Sequence, residues 1–128
     1  MQVLERILYA EDDADIQQVA ILALETVGGF TIKTCNNGLE AVSEIDIFQP
    51  QLLLFDVMMP YMDGPSALLK IRERADFKAT PAIFMTAKVQ PEEVQMYLDM
   101  GASGVIAKPF DPMLLATQVQ EIWEKSQQ

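Results

Sequence analysis

The sequence predicts an α/β chain: a five-stranded, doubly wound parallel sheet with helices on both of its faces. Three observations point there. Short apolar runs alternate with segments whose apolar residues recur every three or four positions, the signature of strand and helix in turn. The run Leu52-Leu53-Leu54-Phe55 is apolar at every position, as in a strand covered on both sides; a strand with one wet face would alternate. Each run also stops on polar or charged residues. Parallel neighbours need a crossover between them, and right-handed crossovers place helices on both faces of the sheet.

Arg6-Ile7-Leu8-Tyr9-Ala10 is the first strand and stops at Glu11-Asp12-Asp13. A helix follows from about Asp13, with Ile16, Val19 or Ala20, Ala23 and Val27 as its apolar side and Gly28-Gly29 as its end. Phe30 to Cys35 alternates, as a strand nearer the sheet edge does, and Asn36-Asn37-Gly38 makes a turn. Leu39, Val42, Ile45 and Phe48 form the stripe of a second helix that Pro50 stops. The third strand ends on Asp56. After the turn Pro60-Tyr61-Met62-Asp63-Gly64, Pro65 suits a first helical turn, with Leu68, Leu69 and Ile71 facing inward. Pro81 to Met85 is a buried strand ending on Thr86; Pro91 opens a helix with Val94, Tyr97 and Leu98 inside, and Gly101 closes it. Gly104 to Ala107 is a short last strand ending at Lys108-Pro109, and Asp111-Pro112 caps and starts a final helix using Leu115, Val119 and Ile122.

With 128 residues, half of them hydrophobic, and no internal repeat or linker, residues 1–128 are expected to form one domain with a full core. Its ordered part should run from about residue 5 to about residue 125, the ends fraying. No apolar run approaches the roughly 20 residues that span a bilayer and no charged-then-apolar leader is present, so a cytoplasmic protein without membrane insertion is expected. The net charge of −10 opposes direct binding to nucleic acid. Lys70, Arg72, Arg74 and Lys78, the only basic cluster, read as a solvated face. The chain has no histidine, which excludes imidazole metal sites and every nucleophile that needs a histidine partner. The lone Cys35 cannot form an internal disulfide and suits a small core position.

In a parallel sheet the carboxyl ends of the strands share one edge, and ligands bind there. That edge collects Glu11 and Asp12 from strand one, Asp56 from strand three, Thr86 from strand four and Lys108 from strand five. Each alone has an ordinary explanation: the acidic run favours a helix N-terminus, Thr86 a cap, Lys108 a solvated surface. Together they raise a problem of charge, since clustered carboxylates repel unless a cation intervenes. Magnesium prefers oxygen ligands and suits Glu11, Asp12 and Asp56. Asp56 is then placed as a nucleophile on phosphorus, with the Lys108 ammonium and the Thr86 hydroxyl compensating charge on the transferred oxygens.

The stretches Ile7 to Asp13, Asn37-Gly38-Leu39-Glu40-Ala41, Asp56 to Gly64, Pro81 to Ala87 and Lys108-Pro109-Phe110 together resemble the receiver domain of two-component response regulators over essentially the whole chain. The resemblance implies the flavodoxin-like receiver fold with strand order 2-1-3-4-5, and Asp56 as acceptor of a phosphoryl group from a histidine of a sensor kinase or histidine phosphotransfer protein. It implies a magnesium site of Glu11, Asp12, Asp56 and the Met58 backbone carbonyl. The Ala87 amide would join Thr86 and Lys108 at the phosphoryl oxygens, and the Lys108-Pro109 bond would be cis. Met58 and Lys88 hold positions that in such domains influence loss of the phosphoryl group. Such a switch implies a downstream protein target or an output domain outside this chain, which ends just after its last helix, and a monomer or weak dimer. Gln17 and Gln18 either flank the donor's docking site or are ordinary solvated residues.

One position departs from the family. Where receivers carry Tyr or Phe three residues before the lysine, this chain has Val105, which has no ring to swing and few rotamers. That leaves open an unphosphorylated pseudo-receiver binding module. An aspartyl-nucleophile phosphatase is the enzymatic alternative to a domain that catalyses only its own phosphorylation and dephosphorylation. Phosphatases of the haloacid-dehalogenase type carry a second carboxylate two residues after the nucleophile, and Met58 stands there. A flavodoxin-like cofactor binder lacks support, because no Gly- or Ser/Thr-rich phosphate loop follows strand one.

Overall fold

A computed structural model describes residues 2–128. Five parallel strands, β1 (Arg6–Ala10), β2 (Thr31–Cys35), β3 (Leu52–Asp56), β4 (Ala82–Thr86) and β5 (Gly104–Ala107), form one sheet in the order β2-β1-β3-β4-β5. Five helices connect and follow them: α1 (Ala14–Leu22), α2 (Gly38–Phe48), α3 (Gly64–Arg72), α4 (Pro91–Asp99) and α5 (Leu115–Ser126). The predicted architecture and strand order are both present.

Strand alternation divides the core in two. Ile7, Tyr9, Leu52, Leu54, Ile83, Met85 and Ile106 face α1 and α5, where they meet Ala20, Leu24, Leu115, Val119 and Trp123. Leu8, Ala10, Leu53, Phe55, Ala82 and Phe84 face the other way, onto Ala41 and Ile45 of α2, Ala67, Leu68 and Ile71 of α3, and Tyr97 of α4. All of β3 is buried. Cys35 is buried as expected, and its burial pushes the thiol pKa up to about 12. Among the described residues no helix is long and apolar enough to cross a membrane.

The helices depart from the predicted stripes in detail. After Leu22 the chain widens into a π turn, Ala23–Val27, which rotates the register so that Leu24 is buried and Val27 lies exposed. Leu39, Leu69 and Leu98 are likewise exposed, whereas Ala41, Ala67 and, as expected, Tyr97 are buried. Asp111 does not start a helix directly. Its carboxylate accepts from the Met113 amide at 2.8 Å and its carbonyl from Leu114 and Leu115, closing a turn from which α5 begins at Leu115. Arg72 does not belong to a solvated face. Its guanidinium donates to the carbonyls of Phe77 (2.9 Å), Thr80 and Gly101 (3.3 Å), tying the end of α3 to the loops that flank β4 and α4. Lys70 and Lys78 are exposed, and Arg74 forms an exposed pair with Asp46.

Candidate functional site at the carboxyl edge of the sheet

Strand register brings the polar termini together. Phe55 of β3 lies beside Ala10 of β1, Asp56 beside Met85, and Thr86 beside Ala107. Glu11, Asp56 and Lys108 each sit two residues beyond Tyr9, Leu54 and Ile106, so they continue the side of the sheet that faces α1 and α5. Thr86 follows Phe84 and continues the side facing α4.

The carboxylates of Glu11, Asp12 and Asp56 offer oxygens that all lie within 4.8 Å of one another. Glu11 and Asp56 are buried, whereas Asp12 is exposed. Lys108 holds the two buried acids together, its Nζ lying 2.8 Å from Glu11 Oε1 and 3.1 Å from Asp56 Oδ1. Burial pushes both carboxyl pKa values above the usual carboxylate range and outweighs the opposing pull of Lys108. Lys108 itself is raised: its bonds and charge contacts with the two carboxylates overcome the larger single effect of burial, which lowers it.

One ammonium does not balance three carboxylates. The cluster's oxygen-only donors, gathered into one small volume and held by a single ammonium, fit a hard metal ion and suit neither zinc nor copper. Asp13 is not part of this cluster; it caps α1 by accepting from the amides of Asp15 (2.9 Å) and Ile16 (3.1 Å).

A cavity of about 290 Å³ opens over Asp56 and is lined by Met58, Thr86, Ala87, Lys88, Tyr97 and Lys108. Every predicted phosphoryl-contacting residue therefore borders one space. Met58 also lines the adjoining hollow with Asp12 and Asp63, between the acidic cluster and the β3–α3 loop. The Thr86 hydroxyl accepts from the Lys88 amide at 3.0 Å, and the Lys108-Pro109 bond is cis. Val105 is half-buried on the α4 side of β5. Gln17 is neither simply solvated nor free: its amide donates to the Glu11 carbonyl and to Asn36 Oδ1 (2.8 Å), holding the acidic loop to the β2–α2 turn. Gln18 is exposed.

Two residues at the site escaped the sequence. Tyr97 was expected in the core, but nothing in helical periodicity indicates that its ring also lines the cavity. Tyr9 carries a buried hydroxyl with no hydrogen-bond partner among the described residues. Burial, then the negative charges of Glu11, Asp56 and Asp13, push its pKa above the ordinary tyrosine value. An unpaired buried hydroxyl costs stability, so Tyr9→Phe should leave the fold unharmed or stabilise it by about 1 kcal/mol. Urea unfolding checks this, and a destabilised Tyr9→Phe protein would mean that the hydroxyl has a partner in solution.

The chain and its fold are similar to known proteins. The family model of the response regulator receiver domain matches residues 7–120. The chain is 31% identical over 122 residues to response regulator Rre1 of Synechocystis sp., a match covering 94% of this chain and 52% of Rre1. It is 35% identical over 115 residues to a 14.6 kDa protein encoded in the sodA1 3' region of Leptolyngbya boryana, covering 90% of this chain and 87% of that one. The structure of chemotaxis response regulator CheY4 of Vibrio cholerae superposes with a TM-score of 0.86 at 28% identity, over 94% of this chain and 99% of that one. This chain spans about half the length of Rre1 and of the transcriptional regulatory protein CseB of Streptomyces coelicolor, which it also matches. A receiver-domain model matching residues 7–120, together with a fold that superposes on a chemotaxis response regulator along nearly its whole length, has one conclusion: the chain belongs to the family of response regulator receiver domains.

Proposed function

We propose that this receiver is a phospho-accepting switch in which Asp56 takes a phosphoryl group from a histidine of a sensor kinase or histidine phosphotransfer protein. The observation that carries this reading is the placement of Asp56. Its carboxylate sits at an open cavity, 3.1 Å from the Lys108 ammonium and clustered with Glu11 and Asp12. An Asp56 oxygen attacks phosphorus, the new P–O bond forms as the P–N bond breaks, and the electron pair of that bond leaves with the donor imidazole. Glu11, Asp12, Asp56 and the Met58 carbonyl would hold a magnesium ion, which when bound would supply positive charge against the phosphoryl oxygens. Lys108 exchanges a carboxylate partner for a phosphoryl oxygen, while the Thr86 hydroxyl and the Ala87 amide donate to the others. A protein partner then reads the favoured state of the surface.

Intact mass after incubation with magnesium and acetyl phosphate tests this. The parent chain should gain a single phosphoryl group, absent from Asp56→Asn and from a magnesium-free control. A parent chain that stays unmodified, under conditions that exclude rapid loss, would make the domain a pseudo-receiver. Multiple turnover on phosphate esters would make it a phosphatase.

A further inference from the structure

Helix α4 has one fully buried side chain, with Val94 half-buried beside it. Tyr97 is its only buried residue, 5% exposed, while the apolar neighbours Met96 and Leu98 are 45% and 37% exposed. No side chain caps the helix at Gln90. The Tyr97 ring meets Phe84 of β4 edge-on, with centroids 5.4 Å apart and planes at 64°. The same ring lines the cavity over Asp56, together with Thr86 and Lys108. β5 contributes Val105 and the small Ala107 to this side of the sheet, and neither has a long side chain to move.

We infer that Tyr97 is the residue through which the phosphoryl state of Asp56 sets the position of α4. The inference rests on phosphoryl acceptance at Asp56. A phosphoryl group entering the cavity occupies space that the Tyr97 ring borders. When the Thr86 hydroxyl turns to donate to that group, it releases the Lys88 amide it now accepts from, and with it the segment leading into α4. A helix with many fully buried side chains would absorb such a change; α4, with one such side chain, is displaced more readily when that ring moves. The exposed side chains of Met96 and Leu98 move with it, so the surface offered to a partner differs between the two states.

Hydrogen exchange of the whole chain, with and without acetyl phosphate and magnesium and with intact mass on the same samples, tests the assignment. In the parent, phosphorylation should change the exchange of residues 91–99. Tyr97→Leu should still carry the phosphoryl group but lose that change, whereas Tyr97→Phe, which keeps the ring, should retain it. Unaltered protection of β1 and β3 amides would show that the leucine variant is folded. A phosphorylated Tyr97→Leu chain that responds as the parent does would overturn the inference, and so would a phenylalanine variant as silent as the leucine one. Failure of the parent to accept a phosphoryl group would instead overturn the underlying function, a result the mass measurement distinguishes.

Discussion

Lys108→Met should have opposite effects on two properties of the site: slower phosphoryl acceptance and tighter binding of magnesium. The Lys108 ammonium now occupies oxygens of both Glu11 and Asp56. Methionine keeps much of the length and none of the charge, so the cluster becomes more negative and a divalent cation meets no competitor. A transferred phosphoryl group, however, loses a charged donor, and removal of one such donor slows transfer on the order of a hundredfold. Acetyl phosphate labelling rates and a magnesium titration separate the two effects. Equal labelling rates in parent and variant would remove Lys108 from the chemistry.

The same substitution should also destabilise the fold without metal by about 2 kcal/mol at neutral pH, less than for a fully buried pair, because the Lys108 side chain keeps 18% exposure. The sign with pH follows from the carboxyls. Glu11 and Asp56 already titrate above the usual carboxylate range, burial being the first cause. A group raised in the folded state contributes stability that is fully present below its unfolded pKa, about 4, and lost as pH rises through the folded value. Without Lys108 both carboxyls rise further, so the deficit should shrink as the solution is acidified toward the unfolded value. Urea unfolding across that range checks it, and a deficit that grows on acidification would mean the carboxyls are not the source.

The strands, and the candidate site at their ends, were legible in the sequence because strand ends are marked by local pattern. A five-residue strand buried on both sides has almost no room for polar residues, so Asp56 after Leu52 to Phe55 marks a strand end as well as a candidate nucleophile. The helix faces were less legible. Leu39 and Leu69 fit the expected stripes yet face solvent, while the small Ala41 and Ala67 of the same helices are buried. Counting large apolar residues finds the wrong side of such helices. Val27 failed for another reason: the π turn inserts extra rotation that no 3.6-residue pattern anticipates. The solvated reading of Arg72 failed because its guanidinium reaches backbone carbonyls beyond the helix, at Phe77, Thr80 and Gly101.

Gly64→Ala should be among the most damaging single substitutions near the site. Gly64 opens α3 directly after its cap, Asp63, whose carboxylate accepts from the Ser66 amide at 2.7 Å. Its own amide donates to the Val57 carbonyl at 3.0 Å, which pins the start of the helix to the end of β3. A methyl group there would lie 2.3 Å from the Asp56 carbonyl oxygen and 3.2 Å from the Asp56 carbonyl carbon. Both neighbours are backbone of a buried strand, so neither can rotate away as a side chain would. Either α3 lifts or the Asp56 peptide shifts, at a cost of about 3 kcal/mol or more. Gly29→Ala provides the contrast. It has open space around it but a φ of 75°, so alanine there should cost only about 1 kcal/mol through backbone strain. Chemical unfolding should rank the two in that order. The fraction of Gly64→Ala that folds should also take up phosphoryl groups more slowly, since the displaced peptide is that of the acceptor, whereas Gly29→Ala should label as the parent does. A Gly64→Ala protein with parental stability and labelling would show that the β3–α3 junction yields without disturbing Asp56.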